Sequence, residues 1–410
     1  MQDRELHFQN ACQNTPFSSL HTNTQKFLEE KAYVYKFSHS QIRNLVTIAI
    51  DFQMWNEDIK KEWGDFENRK EVIKHIEKIY ENFKNAPKKY LINKEKRDKK
   101  YRVVKVKKDS FGFGSCPVAS PKTRCCNLLT LDVFEGCAYE CSYCSIQSFY
   151  DEIKIDENFK EKLLNLKLDK DKIYHIGTGQ SSDSLLFGDS FEALSSILEF
   201  AKKNQNVILE LKSKSNNINT LLNSDVPKNV ICTFSLNPEI VVQNEEIFSA
   251  SLDKRIQAAS ALRDKGILVG FHFHPMIVFD RYLDEYKKIA HLLLGEFNHD
   301  EVAMISFGTL TFIKSVLKNI RTTLKSSKIL QMPLVETAGK FSYPLSLKKE
   351  MFKTLYDEFK PWHKKIFFYL CMEDESLWSE VFGYEYKDND EFEEAMKKAY
   401  MYKIKEANEI

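Results

Sequence analysis

From about residue 125 onward the chain alternates short apolar runs with amphipathic stretches, and this alternation constrains the fold more than any other feature. Residues 128–134, 172–177, 207–212, 230–236, 267–273 and 302–307 are apolar runs of strand length. Between them, residues 156–166, 190–202, 253–265 and 283–294 repeat apolar side chains at helical spacing. Strands this continuously apolar need cover on both faces, so the repeated units imply a parallel sheet sheathed by helices, open or closed toward a barrel. Six strands suit a partial barrel. The expected fold class is α/β: a partial (β/α)6 barrel over residues 121–345, with an N-terminal helical region and basic linker over 1–120 and a C-terminal α/β extension over 346–410.

The flanks read differently. Ser38 and Gln41 have capping-box spacing ahead of an apolar run at Ile42, Leu45, Val46, Ala49 and Ile50, and a second helix is expected over residues 69–83. Residues 94–109 carry nine basic side chains before a closing acid and run into an alternating strand over 101–106. Such a strip is either a solvated linker or a set of phosphate contacts. After residue 346 a helix is expected over 347–359 and an apolar strand over 366–370.

In 410 residues, 60 Lys+Arg against 59 Asp+Glu leave a formal charge of +1, so the field of the whole molecule does not draw it to a polyanion. No apolar stretch approaches bilayer length and the first twenty residues hold no signal-peptide core, so a soluble, cytoplasmic protein without membrane partners is expected. Nine cysteines, an odd number, argue against a disulfide framework. Six of them, Cys116, Cys125, Cys126, Cys137, Cys141 and Cys144, fall within 29 residues, which points to a metal.

Cys137, Cys141 and Cys144 follow the first strand of the α/β region with C-x3-C-x2-C spacing. Three thiolates on one loop can each bind one iron of a cubane cluster and leave the fourth iron open. The other reading is zinc, held by the triplet with Cys125, Cys126 or Cys116, although the separated Cys pairs common in zinc sites are absent. In folds of this class ligands gather beyond the carboxyl ends of the strands, where this loop lies.

The triplet, with Tyr143 in its aromatic position, resembles the radical S-adenosylmethionine (radical SAM) superfamily. That resemblance implies a radical SAM partial barrel holding a [4Fe-4S] cluster on Cys137, Cys141 and Cys144. Its free iron would chelate the amino and carboxylate groups of SAM. An electron, from a donor such as flavodoxin or ferredoxin, would then cleave SAM to methionine and a 5′-deoxyadenosyl radical. Between residues 128 and 315, HIGTGQSSDSLLFG, LELKSKSNNINTLL, TFSLNPEIV and SLDKRIQAASALRDKGILVGFHFHPMI resemble, in order, segments of the spore photoproduct lyase family. The match implies SAM contacts from Lys214 and Ser235, followed by Asn237, with Ser182 in the Ser-Asp stretch and Arg255 in the helix. Gly177 and Gly179 flank Thr178 at a strand end, where glycine suits either a close ligand or a turn.

One departure stands out. Lyases of this family return a hydrogen atom from a cysteine after the second strand, and the equivalent residue here is Gln180. Either another thiol (Cys116, Cys125, Cys126 or Cys232) serves, or 5′-deoxyadenosine returns the hydrogen, or the substrate differs; the last is the reading adopted. His272 and His274 share one face of a strand and are expected as satisfied polar residues lining the interior. Three functions remain in view: a lyase-like radical SAM enzyme on DNA or another nucleotide-containing substrate, including photoproduct repair; a radical SAM enzyme on a peptide, tRNA or small metabolite; and a zinc-stabilised nucleic-acid-binding module.

Overall fold

A computed structural model describes residues 2–90, 101–109, 111–116, 123–323, 326–337 and 340–409. Eight strands share one sheet. In chain order they are β1 Phe113–Ser115, β2 Leu129–Leu131, β3 Tyr174–Thr178, β4 Val207–Ser213, β5 Val230–Ser235, β6 Leu268–Met276, β7 Val302–Thr309 and β8 Phe367–Leu370. Across the sheet they follow the same order, each hydrogen-bonded to the next. All pairs from β2 to β8 are parallel, and β1 closes one edge antiparallel. A parallel sheet whose strands never reverse order keeps its crossovers turning one way, so the crossover helices gather on one face and the sheet curls into a half-barrel.

Strand β6 shows how the two faces are sorted. Phe271 lies against Phe297 and Phe273 against Tyr286 and Phe359, with ring centroids 5.1, 6.3 and 6.0 Å apart. Each such burial stabilises by about 1.5–3 kcal/mol. The intervening His272 and His274 therefore take the opposite, interior face, as expected, and His272 is satisfied by Ser306 and Glu210, whereas the buried Nδ1 of His274 has no hydrogen-bond partner among the described residues. On β4 the same alternation sends Val207, Leu209 and Leu211 to the helices and Glu210 and Lys212 to the interior.

Two expected elements are altered. The run 128–134 is broken: β2 ends at Leu131, Asp132 accepts a 2.6 Å bond from Ser181 Oγ, and Phe134–Glu135 pairs with Ile153–Asp156 instead. Ile153–Asp156 also pairs with Val103–Val106, which leaves only Phe159–Leu164 of the expected helix 156–166. Of the basic strip, residues 94–100 lie outside the described residues.

The chain divides into two units, and the division differs from the three consecutive segments expected. One unit joins residues 1–90 to 278–280 and 311–343; the other holds 91–277, 281–310 and 344–410. The C-terminal segment belongs with the barrel because β8 pairs with β7. Residues 311–343 belong with the N-terminal helices because Arg321 meets the buried Asp51 through two bonds of 2.8 and 2.9 Å, with Tyr80 donating to the same carboxylate. Within that unit the expected capping box is present: Ser38 accepts from the Gln41 amide, and the Gln41 side chain accepts from Ser38. Among the described residues no helix is long and apolar enough to cross a membrane.

Candidate active site

The cysteine loop leaves the sheet at Gly136, whose φ of +93° and whose missing Cβ, which would sit 2.6 Å from the Glu152 carbonyl, both require glycine. Gly136 N donates to the Ser181 carbonyl (2.9 Å), so the loop starts beside the segment after β3. Its far end is tied to residues 245 and 246. Ser142 N donates to the Glu245 carbonyl (2.9 Å), the Ser142 hydroxyl to the Glu245 carboxylate, and the Tyr143 hydroxyl to the Glu246 carboxylate.

Glu246 is the hub of the site. It is wholly buried and pairs with the equally buried Arg255, whose guanidinium also donates to the Ser235 carbonyl (2.7 Å), Ser249 Oγ (2.6 Å) and the Ala250 carbonyl (2.9 Å). Asn237 Nδ2 donates to Glu246 at 2.8 Å, and Lys214 Nζ stands 4.0 Å away, 5.8 Å from the centre of the Tyr143 ring. Burial alone would push the Glu246 carboxyl up; Arg255 and then Lys214 outweigh it and bring it down to about 2. The carboxylate is thus a fixed negative charge. The loop, β5 and the end of β4 all attach to it.

Other expected residues fall as follows. Asp183 binds four donors: the amides of Leu185 and Leu186 (3.0 Å each), Ser213 Oγ (2.8 Å) and the Lys214 amide (2.6 Å), which fixes Lys214 at the edge of β4. Ser182 is buried, and its Oγ has no hydrogen-bond partner among the described residues. Ser235 is buried at the end of β5. The Asn237 amide is used at both ends, since its oxygen accepts from Tyr286 at 2.6 Å. Gly177 is needed by protein packing, because a Cβ there would meet Leu128 at 2.9 Å. Gly179 has φ +85° and no room beside the Lys212 carbonyl, the geometry of a turn.

Of the four thiols weighed as hydrogen donors, three meet. Cys116, Cys125 and Cys126 line an interior cavity of about 130 Å³ together with Gln180. Cys232 does not: its neighbour Thr233 reaches inward to Glu210 (2.9 Å), so Cys232 faces the helices, wholly buried, and is removed as a candidate. Cys371, at the end of β8, takes its place in the cavity. Glu246 is not legible in the sequence, and Cys371 is not among the thiols expected as donors. Adjacent glutamates at 245 and 246 look like a solvated pair, and Cys371 is distant in sequence from the other thiols; only Arg255 in the neighbouring helix hinted at a buried acid.

The donor set suits an iron-sulfur cubane. Burial raises the ordinary values of all three loop thiols, Cys137 feels Cys144 and Cys141 feels both of the others, and Lys214 works toward the thiolate at every one. Among the described residues no group of three or more His, Cys, Asp or Glu side chains stands in a metal-holding arrangement, so the fit rests on ligand chemistry, on this mutual influence and on the nearby cation.

The spore photoproduct lyase family model matches residues 59–342. This chain belongs to the spore photoproduct lyase family. A curated relative, spore photoproduct lyase of Clostridium acetobutylicum, is 23% identical over 226 residues, a match spanning 52% of this chain and 64% of that protein. Two solved structures share the fold. One is a cysteine-to-alanine mutant of spore photoproduct lyase with dinucleoside spore photoproduct (TM-score 0.53, 18% identity, 65% of this chain and 81% of that one). The other is a double mutant with bound AdoMet and the same dinucleoside (TM-score 0.51, 17% identity, 85% and 94%).

Proposed function

We propose that this family member is a radical SAM enzyme. Cys137, Cys141 and Cys144 would hold a [4Fe-4S] cluster with one iron left for SAM. When bound, cluster and SAM supply a single-electron cleavage that yields methionine and a 5′-deoxyadenosyl radical. The observation that carries the reading is the attachment of a three-thiol loop, at the carboxyl edge of a parallel half-barrel, to the same buried carboxylate that fixes Lys214.

The chain's own residues bind and orient. The Lys214 ammonium offers donors to a carboxylate, and the Ser182 hydroxyl offers one more near the Asp183 turn. Arg255 holds the end of β5 through the Ser235 carbonyl, keeping that edge in place whether or not ligand is present.

For the substrate, a nucleotide-containing molecule is proposed, with the dinucleoside photoproduct bound by the solved relatives as the first candidate. Gln180 in place of the family's cysteine favours a second reading, a substrate other than that photoproduct. Anaerobic reconstitution is expected to load roughly four irons and four sulfides per chain. Dithionite and SAM are then expected to yield 5′-deoxyadenosine, and a fully loaded protein that leaves SAM intact would refute the proposal. Incubation with the photoproduct separates the two substrate readings by whether thymines are restored.

A further inference from the structure

The interior cavity is built from an unusual set of groups. Glu210, its one carboxylate, has both oxygens filled: one accepts from His175 Nε2 at 2.9 Å, the other is bonded to Thr233 Oγ1 (2.9 Å) and His272 Nε2 (2.7 Å). Lys212 stands two residues along the same inward face of β4. Among the described residues neither its ammonium nor the Gln180 side-chain amide has a hydrogen-bond partner, and the buried Nδ1 of His274 and of His175 have none either. The one carboxylate lining the cavity is therefore already satisfied, while the Lys212 ammonium has no ion-pair partner among the described residues. Burial first, then the Lys212 ammonium with smaller contributions from Lys214 and Lys348, hold His274 well below the usual imidazole range. The roof is made of thiols, Cys126 and Cys371 among them, which burial and their neighbours keep protonated and uncharged.

Size narrows the ligand. At about 130 Å³ the cavity is well below the ~300–1,000 Å³ of sites that enclose a drug-sized molecule, so it takes one small group and not a whole dinucleoside. We propose that it receives the small anionic end of the substrate, a carboxylate or phosphate group, against the Lys212 ammonium. This deepens the enzymatic reading and rests on it for the word substrate; the binding itself needs neither cluster nor SAM.

Full-length, cofactor-free protein can be tested by methyl methanethiosulfonate labelling of Cys126 and Cys371, read by peptide mass spectrometry at constant ionic strength. The probes are inorganic phosphate, propionate and the uncharged propionamide. Phosphate or propionate is expected to slow labelling at both cysteines, and propionamide to leave it unchanged. Protection by phosphate alone assigns a nucleotide-type end, and by propionate alone a carboxylic acid. Lys212→Met is expected to weaken protection roughly tenfold or more, the worth of one charge-assisted hydrogen bond, and Lys212→Arg to retain it. Equal protection by propionamide, no protection by either anion, or an unchanged Lys212→Met overturns the proposal. SAM cleavage by the reconstituted protein, measured alongside, strikes the enzymatic reading alone if it fails.

Discussion

Replacing Glu246 with Gln removes one negative charge and almost no volume, so its effect isolates the electrostatic role of the hub. The consequences follow from burial. Glu246 and Arg255 are both 0% exposed, and the variant leaves the guanidinium buried without a counter-ion. Breaking a buried pair in this way costs about 3–5 kcal/mol. A second route gives the same size: holding the carboxyl down at about 2, below its ordinary 4.5, is on the order of 3 kcal/mol at neutral pH. The loss is not spread evenly. Tyr143 and Lys214 are released from the carboxylate, so the cysteine loop and the ends of β4 and β5 are expected to open more often, while the N-terminal unit is unaffected. Hydrogen exchange followed by peptide mass spectrometry reads both places. Peptides covering 137–147 and 230–246 are expected to exchange faster by a factor matching about 3–5 kcal/mol, with peptides in 39–54 unchanged. A change below about 1 kcal/mol in the first two would refute the hub. The double variant Glu246→Met with Arg255→Met, which removes both charges, is expected to recover part of the loss.

Cys141→Ala is expected to abolish cluster assembly while thermal unfolding of the apo-protein stays close to wild type; full iron content in the variant would contradict the ligand assignment. Lys214→Met is expected to load iron normally and to bind SAM at least about tenfold more weakly, one charge-assisted contact being worth about 1.5–3 kcal/mol, with equilibrium dialysis as the check. The barrel interior should also be acid-sensitive. Burial, and then Lys212, lower His272 from 6.5 to about 4, so its neutral form contributes stability that is complete above pH 6.5 and lost as pH falls toward 4. A drop on the order of 3 kcal/mol across that window is expected for the barrel unit in urea titrations, and a flat profile would show that His272 protonates freely. Asp51→Asn is expected to destabilise the N-terminal unit by about 3–5 kcal/mol, because Arg321 then loses a buried partner; far-UV thermal melts would register it.

Much of the barrel was legible because each run from β3 to β7 is rich in apolar, largely β-branched or aromatic residues of strand length and ends in turn residues, a signal carried locally. The cysteine triplet was legible for the same reason, since its three ligands lie on one loop. What sequence could not show is pairing across distance. Residues 366–370 read as a strand, but nothing in FFYL says that it extends the barrel sheet, and nothing in 311–343 says that it returns to helices nearly three hundred residues earlier. The broken first strand has a similar origin: Asp132 looks like a tolerable interruption until Ser181 is seen to hold it. A glutamate buries only when a specific arginine meets it, so Glu246 became visible as a hub only with Arg255 in place.

The interior of the half-barrel carries the remaining step. A sheet face that existed only for stability would be filled with aliphatic side chains, since buried ions and imidazoles seldom stabilise more than apolar residues of equal volume. Here β3, β4, β6 and β7 instead turn inward His175, Glu210, Lys212, His272, His274 and Ser306, and the chain satisfies Glu210 and His272 with Thr233 and Ser306 as partners. That polar array fixes its members in single orientations, and Lys212, Gln180 and His274 line the same cavity as the thiols. A cysteine in place of Gln180 would add a fifth thiol to that wall and remove a polar amide from beside the ammonium. Gln180 thus contributes a hydrogen-bonding amide to a space that four thiols already face.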